Sequence, residues 1–367
     1  MDPGAWLILL KAPKLGPVRI RQLISEYQSP DAVIQASAKQ LRELKVPDNA
    51  IRWIKQAGQA DLQNELAWLS QDGNEMVSFK DPAYPALLAQ LHDAPVLLFT
   101  HGNVDLLSLP QLAMVGSRHP SADGKQTAFQ FAECLAAGGL IITSGLAQGI
   151  DAESHKGALS CGRTIAVCAT GLDRVYPPAN LSLAKNIARE GLLVSEFLPG
   201  TNVHKAFFPR RNRLISGLSL GTLVVEASLR SGSPITAQCA LEQGREVFAI
   251  PGSIHNPMSK GCHGLIKQGA KLVENAADII EELQSHLQRM SSGLHSSQHR
   301  EQRQVEQHST LDPEYRDLLE HITYAPISID QLVETTKQRV EAISSMLLIL
   351  ELEGLVQNAG AGCYSRC

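Results

Sequence analysis

Between Leu112 and Gly252 the chain repeatedly runs through four to six apolar residues and then breaks into glycine or a small polar residue. The runs are LAMVGSR (Leu112–Arg118), LIITSG (Leu140–Gly145), TIAVCATG (Thr164–Gly171), LLVSEF (Leu192–Phe197), TLVVEA (Thr222–Ala227) and VFAIPG (Val247–Gly252). Strands that are apolar without alternation are buried on both faces, the condition of a parallel sheet covered by helices. Helical patterning over Lys125–Ala137, Leu181–Glu190 and Ile235–Gln243 supplies the cover. Strand–helix alternation over short connections predicts an α/β fold built on a doubly wound, mostly parallel sheet.

Ligands of such sheets bind beyond the carboxyl ends of the strands, where the small residues of this chain fall. Bare backbone amides and helix N-termini favour an anion there, most often a phosphate. In MVGSRHP, Gly116 lets the backbone approach a ligand, Ser117 offers a hydroxyl and Arg118 a planar fork matched to phosphate oxygens. SGLAQGIDAESHKGAL adds Ser144, Gly145 and Gly149, with Asp151 expected to cap the following helix and His155 to sit partly exposed on it. Neither has a nucleophile or metal partner at a useful spacing. GSRHP is not a G-x-G-x-x-G fingerprint, and no G-x-x-x-x-G-K-[ST] loop occurs, which argues against nicotinamide binding and ATP hydrolysis.

Val203–Ser216, VHKAFFPRRNRLIS, joins Lys205, Arg210, Arg211 and Arg213 to the adjacent rings of Phe207 and Phe208, without an acidic residue. Cations for phosphates and rings for bases are the components of single-strand recognition. One of the two phenylalanines is expected to be buried. Arginines at a helix start oppose its dipole and call for a compensating anion. Glu226 ends a strand ahead of SLRSGSPITA; a lone carboxylate there reads as a loop organiser rather than a general base.

The flanks are different in kind. Residues 1–72 read as small helices, and LKAPKLGPVRIRQLISEY sets a Leu-Gly-Pro turn between two of them in the manner of a helix-hairpin-helix. The amides of such a turn can meet a DNA phosphate; a packing module is the competing reading. A weaker copy spans Leu41–Ala57 around Val46-Pro47. Met76–Asn103 reads as strand, helix and strand that extend one sheet edge. Residues 285–310, rich in Ser, Gln and His, read as a flexible linker. Residues 311–367 give three helices and a hairpin closed by Gly360-Ala361-Gly362, a winged helix. Its third helix carries Ile343, Met346, Leu347, Leu348 and Leu350, which suits packing or protein contact at least as well as base reading.

Hydrophobic content of 44% and a net charge of −4 fit a soluble globular protein and leave nucleic acid open, because binding follows local charge. MDPGAWLILLKAP is too short to span a membrane and lacks a basic region, so a cytoplasmic protein without a membrane partner is expected. Seven cysteines without a C-x-x-C pair read as reduced thiols, with no metal site.

VGSR, SGLAQGIDAESHKGAL, TGLDRVYPP, FFPRRNRLISGLS, VVEASLRSGSPITA and VFAIPGS, in this order, resemble the DprA/Smf family of DNA-processing proteins over about residues 76–284. The flanks are similar to that family's N-terminal SAM or helix-hairpin-helix-like module (1–72) and C-terminal winged helix (311–367). The resemblance implies an extended Rossmann-like domain that binds single-stranded DNA without catalytic residues, metal or cofactor. It further implies a cytoplasmic homodimer that protects incoming strands during natural transformation and loads the RecA recombinase onto them. By motif position it implies phosphate or DNA contacts at Gly116, Ser117, Arg118, Ser144, Gly145, Lys205, Phe208, Arg211, Asn212 and Arg213. Two other readings remain: a nucleotide-binding enzyme of phosphoribohydrolase type with Glu226 as its catalytic residue, and a winged-helix regulator that binds duplex DNA.

Overall fold

Proline and serine punctuate the start of the chain into short helices: α1 (Pro3–Lys11), α2 (Pro17–Tyr27), α3 (Pro30–Gln35), α4 (Ala38–Glu43), α5 (Asp48–Lys55) and α6 (Gln63–Leu69). Prolines open α2 and α3, where the missing N–H costs nothing. Ser29 caps α3, and Ser37 with Gln40 forms a reciprocal capping box on α4. Both hairpins anticipated from the sequence form, and Arg19 of the first donates to the carbonyls of Leu44 and Lys45 in the turn of the second (both 2.8 Å). Their shared core, with Trp6, Leu23, Ile24 and Ile54, continues into Val96 and Leu97. The computed structural model describes residues 3–56, 61–161, 163–228 and 232–284, then 318, 321–322, 327–336, 340, 343, 346–347, 350, 356–360 and 363–366. The chain divides into two compact units, 1–291 and 292–367.

The apolar runs assemble, among the described residues, into a nine-stranded sheet. Its strands are β1 (Asn74–Ser78), β2 (Leu97–Gly102), β3 (Gln111–Val115), β4 (Ile141–Ser144), β5 (Thr164–Val167), β6 (Leu192–Ser195), β7 (Gly221–Val224), β8 (Glu246–Ala249) and β9 (Lys271–Leu272). They lie in the order β1-β2-β6-β5-β4-β3-β7-β8-β9. From β6 to β9 every pairing is parallel, while β1 and β2, with the short α7 (Ala86–Ala89) between them, add an antiparallel edge. The chain steps outward from β3 through β4 and β5 to β6, then returns to the other side of β3 as β7. The β3/β7 junction is therefore the topological switch point, where the connections diverge and leave a crevice.

Helices cover both faces. Leu112 and Met114 of β3 join the core under α8 (Ala122–Ala137) and α9 (Ile150–Leu159), beside α10 (Leu181–Glu190). Ala113 and Val115 point the other way, toward α11 (Phe207–Gly217), α12 (Ser233–Glu242) and α13 (Lys260–Lys267). This period of two within an all-apolar strand is the signature of a sheet buried on both sides.

The C-terminal unit holds β10 (Ile327–Ser328), α14 (Ile329–Thr336), β11 (Val356–Gly360) and β12 (Cys363–Arg366), in a three-stranded sheet ordered β10-β12-β11. With its helices this is a winged helix. Ile343, Met346, Leu347 and Leu350 are buried in its core beside Leu318 and Leu332. The expected linker, Leu348 and the Gly360-Ala361-Gly362 tip beyond Gly360 lie outside the described residues.

Glycines separate close packing from open surface. A Cβ at Gly157 of α9 would overlap the Phe129 carbonyl of α8, whereas one at Gly264 of α13 would meet nothing within 4 Å. Denaturant titration should find Gly157→Ala destabilised by about 1–3 kcal/mol, the range for overpacking a well-filled contact. Gly264→Ala should gain about 0.5–1 kcal/mol by shrinking the unfolded ensemble.

Candidate nucleic-acid interface

The loop after β3 is held by its own backbone. Ser117 N donates to the Glu226 carbonyl across the crevice (2.7 Å), and Ile150 N donates back to the Ser117 carbonyl (3.1 Å). Gly116 is required because a Cβ would overlap Ile150. The Ser117 hydroxyl accepts from His119 N (3.1 Å). Glu226 turns away from the opening: its Oε2 accepts from Ser121 N (2.9 Å) and its Oε1 from Ser121 Oγ (2.7 Å), while Ser121 caps α8. Both carboxylate oxygens thus organise a helix start, as a loop organiser would. Arg118 is left exposed at the end of this frame, with no hydrogen bond or ion pair to any described residue. Its Cζ stands 5.4 Å from the centre of the Phe208 ring.

The loop after β4 is braced from beneath. Ser144 is fully buried and spends its hydroxyl on the Met114 carbonyl (2.6 Å), so it faces the sheet rather than the crevice. Asp151, expected as a cap for its own helix, instead accepts from the preceding loop at Gly145 N (3.2 Å) and Ala147 N (3.4 Å). Burial pushes its carboxyl upward, against the pull of Arg211 and of those amides. His155, expected to be partly exposed, is completely buried. Its Nε2 accepts from Leu146 N (3.3 Å), which places the proton on Nδ1, 2.7 Å from Thr164 Oγ1; that hydroxyl donates on to the Ile142 carbonyl (2.8 Å). Leu146, held this way, has a φ of 56°, the left-handed region that leucine seldom enters.

Helix α11 carries the basic-aromatic segment and spreads it in three directions. Arg211, only 4% exposed, donates from Nη1 to the Gly145 and Val167 carbonyls at the ends of β4 and β5, and from Nε to Asn212 Oδ1 (3.1 Å). A Cβ on Gly145 would overlap this guanidinium. Burial lowers the pKa of Arg211, and Asp151 acts against the shift. Arg210 and Arg213 point elsewhere: both donate to Oε2 of the buried Glu196, at 3.1 and 2.6 Å. Arg213 also donates to the Asp93 carbonyl (2.9 Å) and faces away from the crevice. The anion that the helix start calls for is therefore supplied from within by Glu196 for two of the arginines. Phe207 packs on Phe197 with ring centres 4.5 Å apart. Phe208 faces Tyr176, with ring centres 5.8 Å apart.

Two cavities meet at Phe208. One of about 420 Å³ fills the switch-point crevice, lined by Gly116, Ser117, Arg118, Phe208, Arg211 and Asn212. The other, about 70 Å³, is a slot between Phe208 and Tyr176 that Arg118, Gly145 and Arg211 also line. The structure thus brings seven of the ten anticipated residues to one opening: Gly116, Ser117, Arg118, Gly145, Phe208, Arg211 and Asn212. Ser144 lies beneath it, Arg213 beside it, and Lys205 stands exposed in the turn before α11 without lining either cavity. The sequence reading missed Tyr176 and Glu196. Each follows a strand at the binding edge, and an aromatic in that position was the available signal for Tyr176.

Residues 75–284 match the family described as DNA recombination-mediator protein A, and residues 302–362 match the DprA winged helix domain. Protein Smf of Escherichia coli is 39% identical over 99% of this chain and 95% of its own length. The X-ray structure of DNA processing protein A from Streptococcus pneumoniae superposes with a TM-score of 0.68 at 39% identity, covering 76% of this chain and 97% of that one. A structure of DNA processing protein A from Helicobacter pylori, described for its single-stranded DNA binding mode, has a TM-score of 0.53 at 30% identity and covers 58% of this chain and 97% of that one. No helix among the described residues is long and apolar enough to cross a membrane.

The buried His155 gives the loop after β4 a pH signature. Burial, with Arg211 nearby, lowers its pKa to about 3 from the ordinary value of 6.5. Below pH 6.5 the unfolded chain takes up a proton that the native state refuses, so stability present above that pH is lost as pH falls toward the folded value. At pH 5 the loss amounts to about 2 kcal/mol. Thermal melts at pH 7.5 and 5 should therefore show a smaller acid-induced drop in His155→Asn than in the native protein, whatever the two midpoints at neutral pH.

Proposed function

The chain belongs to the DprA/Smf family, and from that premise we propose that its switch-point crevice binds single-stranded DNA, with the protein acting as a recombination mediator rather than an enzyme. The observation that carries this reading is Arg118, an exposed guanidinium set over the Phe208 ring with no hydrogen bond or ion pair to any described residue, at an opening that the buried Arg211 also lines. A phosphate satisfies Arg118, and an unpaired base stacks on Phe208 or enters the slot beside Tyr176. Asn212 borders the same opening. Lys205 meets the strand as it leaves. Ser144, Gly145, Arg211 and Arg213 act from behind, as they fix the loop and helix that present the contacts.

The non-enzymatic part of the proposal is supported by Glu226, since both oxygens of this candidate base are engaged by Ser121. In the same reading the protein works in natural transformation as a homodimer, covers incoming strands and hands them to RecA. These steps rest on family membership.

Fluorescence anisotropy with a labelled oligothymidine, titrated with salt, tests the assignment. Arg118→Ala should weaken binding by about 1.5–3 kcal/mol, the worth of a charged hydrogen bond, and flatten the salt dependence by roughly one phosphate. Phe208→Ala should cost about 1–3 kcal/mol with the salt slope unchanged. Undiminished affinity in both variants would overturn the site.

A further inference from the structure

A second opening lies on the other side of α11, and the function proposed above does not use it. It is a groove of about 690 Å³ between the first hairpin and the core, lined by Lys14, Gly16, Val18, His92, Glu196 and Arg210. A third cavity of about 440 Å³ borders both: it shares Pro209 with the crevice, and His92, Asp93 and Arg213 with the groove. The three openings are therefore neighbours around the start of α11.

Groups along the groove lack partners of two complementary kinds. Gly16 is the N-cap of the eleven-residue α2, its extended backbone (φ −82°, ψ 169°) offers no side chain to the first amides, and a Cβ there would meet nothing within 4 Å. Those amides carry the positive end of the helix. Lys14 is exposed beside them, with no hydrogen bond or ion pair to any described residue. The same groove is lined by Glu196, 5% exposed, whose Oε2 serves both Arg210 and Arg213 while its Oε1 is buried without a hydrogen-bond partner among the described residues. The first group needs an anion. The second needs an N–H donor, since a buried acceptor left unmade costs stability.

We propose that the groove holds a second stretch of the same DNA strand, with a phosphate on Lys14, Arg210 and the α2 amides and the N–H of an unpaired base on Glu196. Single-stranded DNA offers both groups from one chain. Each of its bases has an N–H on the Watson–Crick edge, free in a single strand and occupied in a duplex. The inference rests on single-strand binding at the crevice, and it makes the N-terminal hairpin part of the DNA footprint.

The test is anisotropy on the full-length chain with oligothymidines of about 5 and about 20 nucleotides, spanning the site sizes of single-strand binders. The native protein should hold the long probe more tightly than the crevice alone explains. Gly16→Asp supplies an N-cap side chain that serves the same amides and puts a carboxylate where the phosphate would sit. It should melt at or above the native midpoint, keep its affinity for the short probe and lose the advantage of the long one. Lys14→Glu should do the same. A long probe of N3-methylthymidine, which lacks the Watson–Crick N–H, should lose part of the advantage with the native protein. Retention of the full advantage in both variants overturns the groove as a DNA site, and indifference to N3-methylation overturns the role of Glu196. Arg118→Ala separates this from the crevice: it should weaken both probes. If it weakens neither, the crevice reading falls, whereas a native protein without any length advantage refutes the groove alone.

Discussion

A buried guanidinium holds the site together. The carbonyls at the carboxyl ends of β4 and β5 are acceptors at a sheet edge, and Arg211 reaches down from α11 to take Gly145 and Val167 at once. A buried charge is tolerable only when it is hydrogen-bonded and compensated. Here the two carbonyls and Asn212 supply the bonds, and Asp151 supplies the opposing charge. Asp151 in turn fixes the amides of the loop that Arg211 grips, so loop, strand ends and helix form one closed circuit. The positions of Phe208, Asn212 and Arg210 follow from where this clamp sets α11.

The same helix resolves a conflict in its own sequence. Basic residues near a helix start are opposed by the dipole, yet Arg210, Arg211 and Arg213 all occur there. Each has a separate answer within the fold. Arg210 and Arg213, three apart, fall on one face and share Glu196; Arg211 falls on the next and meets strand carbonyls. What reads as one basic patch is two internal anchors and one half-exposed arm. Arg118, contributed by another loop, is an exposed cation at the crevice without a hydrogen bond or ion pair to any described residue.

The sheet was legible because its strands announce themselves as uninterrupted apolar runs that end in small residues, and the switch point follows from their order. The candidate opening was legible as far as backbone chemistry goes: VGSR ends a strand at the binding edge, and only glycine fits against Ile150 there. Side-chain direction was harder to read. Phe208, Arg211, Asn212 and Ile215 recur at helical spacing and line the crevice together, whereas Arg213 lies off that stripe. Taken as composition, the segment hides this; taken at 3.6 residues per turn, it separates. His155 and Ser144 escaped for another reason. The Ser144 hydroxyl and His155 Nε2 are satisfied by backbone atoms of a neighbouring strand and a loop, and His155 Nδ1 by the Thr164 hydroxyl, and such pairings leave no mark in local sequence.

Phe208 also shows how the proposed contacts depend on one another. Tyr176 packs against its ring at a tilt and Arg118 stands over it, so a base that takes the face under Arg118 displaces that side chain. Tyr176 is framed by the proline-rich turn after β5, whereas Arg118 is an exposed side chain with rotamers to spare and a cation–π contact worth about 0.5–1 kcal/mol at an exposed site. A phosphate that draws Arg118 toward itself exchanges that contact for a stronger charged hydrogen bond and bares the ring face for the adjoining base. Backbone and base recognition are then successive consequences of one movement. A duplex, whose bases are already stacked and paired, can supply the phosphate but not the second step.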